Sequence, residues 1–339
     1  MIERYLKNEL SRRRWRAFKS QRRSVFAAVI FVLAFVFSAT AEMWSNSKPL
    51  VLHYAGETYF PVFQRVHPSV FHQDSAAITD YRALSLGESD WDLWPLNEWD
   101  PYEINNALSS YPAPPSLSNW LGTDNQGRDV FARILYGMRY GVAYAFATWA
   151  LTCFIGVVLG GAMGFFGGAL DLIGQRVEEV ISSVPTLFIL IILVSIFKPS
   201  LLMLVLISAL FGWIGFSVYV RAEFLKNRKK DFVEVARAMG ASNKRLIFKH
   251  ILPNSLVPLI TLSPFVIASY ITGLASLDYL GLGLPPPTPS WGELLDQAQQ
   301  YVTIAWWLAV YPASALFVSL ILLSLVGDGM RVAFDPRRS

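Results

Sequence analysis

Six long apolar stretches constrain the fold of this chain more than any other feature of its sequence. Each is long enough to cross a bilayer core of about 30 Å, which takes roughly 20 apolar residues in an α-helix. Hydrophobic residues make up 53% of the 339 residues and charged residues only 16%, an apolar excess over what a soluble core of this size requires. The predicted spans are residues 25–41, 140–166, 180–197, 201–220, 256–277 and 304–326. The sequence therefore predicts an all-α polytopic membrane protein.

The distribution of charge predicts how these spans are oriented, because Lys and Arg are retained on the cytoplasmic side of a membrane. Residues 1–24 are strongly basic, with Arg4, Lys7, Arg12, Arg13, Arg14, Arg16, Lys19, Arg22 and Arg23 against Glu3 and Glu9. Residues 42–139 are rich in acids, among them Asp74, Asp80, Glu88, Asp90, Asp92, Glu98, Asp100 and Glu103. Residues 221–254 are basic again. The net charge of +4 thus reflects membrane topology and predicts no nucleic-acid site.

These charges give a predicted order of segments along the chain. Residues 1–24 form a cytoplasmic N-terminal segment, 25–41 the first span and 42–139 an external segment. Residues 140–326 form the transmembrane core, which contains a cytoplasmic segment at 221–254, and residues 327–339 form a cytoplasmic tail. Both termini are therefore predicted to lie in the cytoplasm.

The basic N-terminus, the apolar run and the small residues "ATA" at 39–41 also fit a cleavable secretory signal. The basic region is longer than in a typical signal and the apolar run reaches spanning length, so we expect the first helix to be kept as an anchor. The one cysteine, Cys153, excludes a disulfide within the chain. The external segment is therefore expected to fold without covalent cross-links.

Motifs for catalysis, metal binding or ion coupling are absent from the sequence. The four histidines, His53, His67, His72 and His250, do not have a zinc-type spacing, and no P-loop for nucleotide phosphates is present. The charged residues closest to the spans lie at span ends: Glu178, Glu179, Lys198 and Asp278. An ion-coupled carrier usually keeps buried carboxylates or histidines within its spans. The sequence predicts a non-catalytic chain with no metal site and no cofactor of its own.

A charged segment, "EVARAMGASNKRLIFKHILPNS", lies between two predicted spans at residues 234–255. Apolar residues at helical spacing precede its glycine: Phe232, Val235, Ala236 and Met239. Gly240 suits a left-handed helix end, and Ser242 can cap a second helix over residues 243–252, before or at Pro253. The pattern predicts a helix-turn-helix. Composition alone leaves two roles equally open, an amphipathic segment resting on lipid or a docking element for a partner.

The same segment resembles the motif Glu-Ala-Ala-x-x-x-Gly of membrane subunits of bacterial ABC importers. Glu234, Ala236 and Gly240 match that motif, whereas Val235 replaces its middle residue and His250 replaces a later apolar one. In that family the segment is the coupling helix, which docks in a groove of the cytoplasmic ATPase. The resemblance therefore implies that the ATPase-coupling residues are Glu234, Ala236, Arg237, Ala238, Met239, Gly240, Ala241 and Ser242.

Two external stretches resemble the C-type permease subunits of dipeptide and oligopeptide importers. The first is "NWLGTDNQGRDVFARILYG" at 119–137, and the second is "DYLGLGLPPPTPSWGELL" at 278–295. Read alone, each is a turn-rich connecting loop. The family motif residues are Leu121, Gly122, Thr123, Asp124, Gly127, Arg128 and Asp129, followed by Pro287, Pro289, Ser290, Trp291 and Gly292. The resemblance implies six helices of the type I importer permease fold, with a periplasmic insertion after the first helix.

The larger external segment narrows the resemblance further. The stretches "NSKPLVLHYAGETYFPVF" and "DWDLWPLNEWDP" are similar to the E-type subunits of Yej peptide importers, which are linked to uptake of the peptide antibiotic microcin C. This implies import of oligopeptides across the bacterial inner membrane. The implied partners are a B-type permease, a periplasmic peptide-binding protein and an ATPase with two nucleotide-binding halves on one chain, which binds ATP and Mg²⁺.

Two other readings stay open at this stage. The chain could serve another dipeptide- or nickel-type ABC importer, or, in a different class, it could be an ion-coupled secondary transporter. The cargo, its length range and the residues that line the path do not follow from the sequence. We expect the external aromatic residues Trp91, Trp94 and Trp99 to pack a small core rather than to touch substrate.

Overall fold

A computed structural model describes residues 9–73 and 78–335 of the chain. The helices are α1 (Glu9–Ser20), α2 (Arg22–Ala39), α3 (Val130–Phe166), α4 (Gly168–Ser182), α5 (Thr186–Ile196), α6 (Leu201–Asn227), α7 (Asp231–Ala238), α8 (Asn243–Arg245), α9 (Leu252–Ser255), α10 (Val257–Tyr279), α11 (Trp291–Gln300) and α12 (Trp306–Phe334). Three short strands lie between α2 and α3: β1 (Val51–Tyr54), β2 (Glu57–Tyr59) and β3 (Trp91–Leu93). The described part is thus predominantly helical, as predicted. Glu3, Arg4, Lys7 and Asp74 of the charge pattern lie outside it.

Five of the described helices are long and apolar enough to cross a membrane, namely α2, α3, α6, α10 and α12. The pair α4 and α5 makes a sixth if it counts as one span, and it is bent by 68° at its break. The predicted third span at 180–197 is therefore wrong as a single helix. Pro185 explains the break, because it has no amide hydrogen for the helix and disfavours helical geometry at Val184. The count of six spans stays a prediction.

Two helices are longer than the apolar stretches that predicted them. The second span was placed at 140–166, whereas α3 begins at Val130, and the last was placed at 304–326, whereas α12 ends at Phe334. Hydropathy marks only the part of a helix that suits lipid, so polar turns that continue the helix at its ends are not detected.

The chain divides into two compact units. The first comprises the described parts of Met1–Val32, Gly141–Pro285 and Leu316–Ser339. Two buried apolar clusters fill it, one around Phe224, Leu246 and Leu259 and the other around Leu204 and Leu274. The clusters hold α6 and α10 together with the segment that connects them.

A stripe of glycines on α3 lets this helix approach α6 closely. Gly156, Gly160 and Gly164 recur every four residues along one face. A Cβ atom added to Gly160 would lie 2.3 Å from the backbone oxygen of Ser217, and one added to Gly164 would lie 2.7 Å from that of Arg221. Small residues at such a helix interface let two backbones pack closely within a membrane.

Two arginines near the end of α6 connect it to neighbouring helices in the same unit. Arg221 forms an ion pair with Asp171 of α4, with 2.8 Å between its Nη2 and the carboxylate. Arg228 donates to the carbonyl oxygens of Gly164 and Phe165 at 3.2 and 3.0 Å. Carbonyl groups in the last turn of a helix have no partner within the helix, so Arg228 satisfies two of them at the end of α3.

The second unit comprises Leu33–Tyr140 and Pro286–Ala315. Its antiparallel sheet has the order β2-β1-β3, and His53 is opposite Trp91 in the register of β1 and β3. One side of the sheet covers a small core of Leu52, Phe71 and Tyr81, against which Trp94 packs. Trp91 is exposed instead, so the prediction of core packing is right for Trp94 and wrong for Trp91.

Candidate functional site

The segment between α6 and α10 folds into the predicted helix-turn-helix. After α7, the amide of Gly240 donates to the carbonyl of Arg237 at 2.9 Å, and the amide of Ala241 donates to that of Ala236 at 3.0 Å. This pair of bonds is the Schellman motif, whose left-handed position favours glycine. Gly240 has a φ of +81°. The side chain of Ser242 then accepts from the amide of Arg245 at 3.4 Å and caps the second helix, as predicted.

The second helix differs in one respect from the prediction of a regular helix over residues 243–252. The short helix α8 passes into a π-helical turn over Leu246–Ile251 and then into α9. Pro253 lies in the first turn of α9, where its missing amide hydrogen is tolerated. The helical structure therefore continues through Pro253. π-helical turns are rare and occur frequently at functional sites.

Three apolar side chains anchor this segment in the first unit. Val233, Leu246 and Ile251 are fully or almost fully buried in the cluster that contains Phe224 and Leu259. At the base of the segment, Asn227 donates from Nδ2 to the hydroxyl of Ser255 at 3.0 Å, and both residues are buried. The segment is thus packed against the ends of α6 and α10.

Replacement of Asn227 by Leu is expected to loosen the base of the segment. The change removes the donor to Ser255 and leaves a buried hydroxyl unsatisfied, which typically costs about 1–3 kcal/mol. Limited proteolysis within residues 228–254 and thermal unfolding of the purified protein measure the effect. In a double-mutant cycle with Asn227→Ala and Ser255→Ala, the two losses should not add, because both remove the same bond. Strictly additive losses of stability would show that the hydrogen bond between Asn227 and Ser255 does not contribute.

The outward side of the segment is apolar and basic. Phe232, Val235 and Met239 are 42%, 58% and 83% exposed. Basic residues are also exposed beside them: Arg237, Lys244, Arg245 and Lys249. Three large apolar side chains on one exposed helix face are unusual in a region of such charge, and contiguous patches of this kind mark interaction sites.

Two of the residues implied to couple to the ATPase, Ala236 and Glu234, differ in their surroundings. Ala236 packs against the buried cluster of its own unit, so its small side chain serves internal packing, whereas Ala238 is exposed. Glu234 is exposed, and no side chain in the described parts of the chain donates a hydrogen bond to its carboxylate. Its implied role in coupling to the ATPase stays a prediction. Its place in the first turn of α7 still favours the helix through the helix dipole.

In the second unit, the two motifs that are predicted to be external meet in a buried ionic cluster. Arg128 donates from Nε to Asp124 at 2.7 Å and from Nη2 to Glu293 at 2.9 Å. Arg133 also bonds Glu293, and its Nε lies 3.5 Å from the carboxylate of Asp124. Neither arginine side chain is more than 2% exposed. Two carboxylates thus compensate the charge of two guanidinium groups that are buried away from water.

Further hydrogen bonds join the first stretch to α11 and to the beginning of α12. Asn125 donates from its amide to the Gln297 side chain at 3.1 Å, and Trp307 donates to the carbonyl of Thr123 at 3.0 Å. Trp291 donates from Nε1 to the carbonyl of Ile134 at 2.9 Å. Ser290 caps α11 by accepting from the amide of Gly292 at 3.1 Å. These bonds hold α11 and the first turn of α12 against the beginning of α3 and the loop that precedes it.

Asp129 performs a separate task at the beginning of α3. It accepts from the amide of Ala132 at 2.8 Å, as a helix cap does, and from the side chains of Asn97 and Asn119 at 3.0 and 2.9 Å. Nearby, Arg139 bonds both carboxylate oxygens of Glu42 and thereby lowers the pKa of that carboxyl below its ordinary value. Both carboxylates act as structural anchors.

The predicted external motif residues are therefore mostly interior. Gly122, Thr123, Asp124, Gly127, Arg128 and Asp129 are buried, as are Pro289, Ser290, Trp291 and Gly292, while Leu121 is half-buried and Pro287 is exposed. Glu293 and Arg133 complete the cluster but were not among the predicted residues. The sequence signal for them was a lone charge in an uncharged run, Arg133 within residues 130–137 and Glu293 within residues 279–295.

Comparisons with known proteins agree with this architecture. The model of the family "Binding-protein-dependent transport system inner membrane component" matches residues 156–339. The inner membrane ABC transporter permease protein YejE of Escherichia coli K12 is 40% identical over 96% of this chain and 97% of its own. The peptidoglycan transport system permease protein YejE of Agrobacterium fabrum is 37% identical over 97% and 93%. The oligopeptide transport system permease protein OppC of Bacillus subtilis is 33% identical over 70% and 77%.

The family match covers more than half of the chain, and two relatives cover nearly all of it. The family description and the name of the Escherichia coli relative both place such proteins in the inner membrane, in accord with the apolar helices found here. The chain belongs to the inner-membrane permease subunits of bacterial ABC peptide importers.

Proposed function

We propose that this chain is one of two permease subunits in an ATP-driven importer that moves oligopeptides across the bacterial inner membrane. Its partners are a B-type permease, a periplasmic peptide-binding protein and a cytoplasmic ATPase with two nucleotide-binding halves on one chain. ATP and Mg²⁺ bind to that ATPase, and this chain performs no covalent chemistry. The observation that carries the proposal is an exposed apolar and basic surface on a segment rooted in α6 and α10.

The proposed role of this segment is to transmit motion from the ATPase. Phe232, Val235 and Met239 insert into a groove of the ATPase, and the surrounding basic residues orient the contact. Because Val233 and Ile251 are fixed in the core beneath, a displacement of the docked face moves the ends of α6 and α10. The spans then shift between inward-open and outward-open populations.

The proposed orientation places this segment and both termini in the cytoplasm and residues 42–139 in the periplasm. The basic excess of residues 221–254 and the acidic excess of residues 42–139 support this arrangement. In the periplasm, the exposed Trp91 and Leu93 of β3 offer a surface for the peptide-binding protein. The buried motif cluster would hold that surface on a rigid base.

The test of the docking role is Met239→Asp, the change that places a charge on the most exposed apolar side chain of α7. Loss of a central apolar contact from an interface typically costs about 2 kcal/mol or more, which corresponds to roughly a 30-fold loss of affinity. Copurification of the ATPase and peptide uptake in the same cells are the measurements, and both are expected to fall. Leu117→Asp is the matched control, because Leu117 is 98% exposed and lies far along the chain in the second unit.

Gly240 allows a second, independent arm of the same test. A Cβ atom added to Gly240 meets nothing within 4 Å among the described residues, so apart from backbone strain the chain leaves room at the start of a side chain, which would project toward a docked partner. Gly240→Glu should therefore release the ATPase, while Gly240→Asn should retain more, since Asn tolerates left-handed geometry. Normal uptake and normal ATPase retention in both Met239→Asp and Gly240→Glu would reduce this segment to a helix that rests on lipid.

The cargo is proposed from the names of the relatives. The Bacillus subtilis relative is named for oligopeptide transport and the Agrobacterium fabrum relative for peptidoglycan transport. We infer that the common cargo is a peptide, with short cell-wall peptides as a second candidate and microcin C-like peptide antibiotics as a further one. Competition between an oligopeptide, a cell-wall peptide and microcin C for uptake by cells that depend on this importer ranks the three. Uptake of none of them would contradict the peptide assignment.

A further inference from the structure

The first helix has two chemically different sides, and one of them is covered by the protein itself. Trp15 and Phe18 stack on each other with ring centroids 6.2 Å apart. The guanidinium of Arg14 lies 4.5 Å from the ring centroid of Phe334, and a Cβ atom placed on Gly329 would lie 3.0 Å from the Phe18 ring. The aromatic side of α1 is thus packed on the end of α12 at Arg14 and Phe18.

The opposite side of α1, together with the first residues of α2, is exposed and strongly basic. We call this surface the basic face; its exposed members are Arg12, Arg13, Arg16, Lys19, Arg22 and Arg23. Among residues 9–23 the one acid is Glu9, which lies 3.4 Å from Arg13 in an exposed pair. Exposed pairs of this kind contribute little and exchange readily. The six cations of the basic face outnumber the one acid of residues 9–23, so this stretch is net positive.

The basic face lies next to the candidate membrane span that follows it. Gln21 alone separates α1 from α2, and α2 is one of the candidate spans. From Arg12 to Arg22 the rise along a helix is about 15 Å, so these cations lie within a short distance of the point where α2 enters the bilayer. The retention of Lys and Arg on the cytoplasmic side depends only on how many of these residues are present. It does not require that they share one face of a folded helix.

We propose that the basic face binds the phosphate headgroups of anionic phospholipids in the leaflet where α2 begins. Basic clusters next to a membrane span are attracted to anionic lipid, and arginine forks fit phosphate oxygens with two parallel hydrogen bonds. Contact with lipid would hold α1 against the bilayer and, through Arg14 and Phe18, would hold the end of α12. The proposal depends on membrane insertion and not on the cargo or the ATPase.

The test uses the full importer complex, extracted from membranes of phosphatidylglycerol and phosphatidylcholine, with the lipids that remain bound quantified by mass spectrometry. The first variant carries Arg12→Gln, Arg13→Gln, Arg16→Gln and Lys19→Gln. Its matched control carries Arg12→Lys, Arg13→Lys and Arg16→Lys, which keeps the charge. Arg14 is left intact in both, because it packs on Phe334. Size-exclusion chromatography verifies that each complex is assembled.

The native complex and the lysine control are expected to retain phosphatidylglycerol in excess over its share of the membrane. In the glutamine variant, the enrichment of phosphatidylglycerol should fall about tenfold, because the attractions of neighbouring cations to anionic lipid add. Raising the ionic strength from about 0.1 M to about 1 M shortens the screening length from about 10 Å to about 3 Å and should weaken the native enrichment as well.

Two results would overturn the proposal. If the glutamine variant retains phosphatidylglycerol as the native complex does, the basic face does not bind lipid. If lipid retention is unchanged but the ATPase no longer copurifies, the face binds that protein instead. Peptide uptake is not among these measurements. The lipid-retention result can therefore be interpreted even if the proposed transport function is wrong.

Discussion

Replacement of Gly160 by Ala is expected to separate α3 from α6 and to destabilise the protein by about 3 kcal/mol or more. The added methyl group would lie 2.3 Å from the backbone oxygen of Ser217 and 2.8 Å from its Cα atom. Backbone atoms cannot rotate away as a flexible side chain can, so the two helices must move apart. Within a membrane, close packing is the main source of attraction between helices, and little else offsets its loss.

The same substitution at Gly141 is the control, because a Cβ atom there meets nothing within 4 Å and the residue lies on the same helix. In a helix interior, Ala is favoured over Gly by roughly 0.5–1 kcal/mol, so Gly141→Ala should be neutral or slightly stabilising. Thermal unfolding of the purified complexes and the amount of protein in the membrane measure both variants. Equal unfolding temperatures for Gly160→Ala and the native protein would contradict the close contact between α3 and α6.

Replacement of Glu293 by Leu is expected to disrupt the second unit with a loss of about 3–5 kcal/mol, the usual cost of removing one partner from a buried ion pair. Glu293 bonds both Arg128 and Arg133, whose side chains are almost completely buried. Without it, Asp124 is the single carboxylate left beside two guanidinium groups, and Arg128 already has one nitrogen, Nη1, without a partner in the described parts of the chain. The loop of residues 286–290 should detach and become sensitive to protease.

Asp296 on the same helix provides a matched control for this prediction. Among the described residues, its carboxylate accepts only a long hydrogen bond, from Gln300 at 3.4 Å. Asp296→Leu should therefore change unfolding by less than about 0.5 kcal/mol, as is usual for substitutions away from such networks. Glu293→Gln should fall between native and Leu, because it keeps a hydrogen-bond acceptor and loses the charge. A Glu293→Leu protein as stable and as protease-resistant as Asp296→Leu would refute the structural role of the ionic cluster.

The turn at Gly240 shows how far local chemistry carries a prediction. A glycine after an amphipathic run and a serine two residues later predicted a left-handed helix end followed by a capped helix, and the structure has both. Such features depend on a few neighbouring residues, so they can be read from the chain directly. The bend before α5 had a local signal as well in Pro185, yet hydropathy alone joined its two sides into one span.

Which face of α7 packs inward could not be predicted in the same way. Helical spacing groups Phe232, Val235, Ala236 and Met239, but it does not tell which of them meets the protein's own core. The structure directs Ala236 and Val233 inward and leaves Met239 outside. That choice depends on how α7 packs on Phe224 and Leu246, residues that belong to other elements.

By itself, the sequence determined where the apolar helices run, with the exception of the broken pair α4 and α5, and where the turn at Gly240 lies. These features arise from bilayer thickness and turn geometry, which act within about 20 consecutive residues. Only the tertiary structure decided that Arg128 and Arg133 share Glu293, about 160 residues further along the chain, and that the glycines of α3 face Ser217 and Arg221. The physical reason is that a buried charge or a close backbone contact takes its partner from whatever the fold brings beside it, at any distance in sequence.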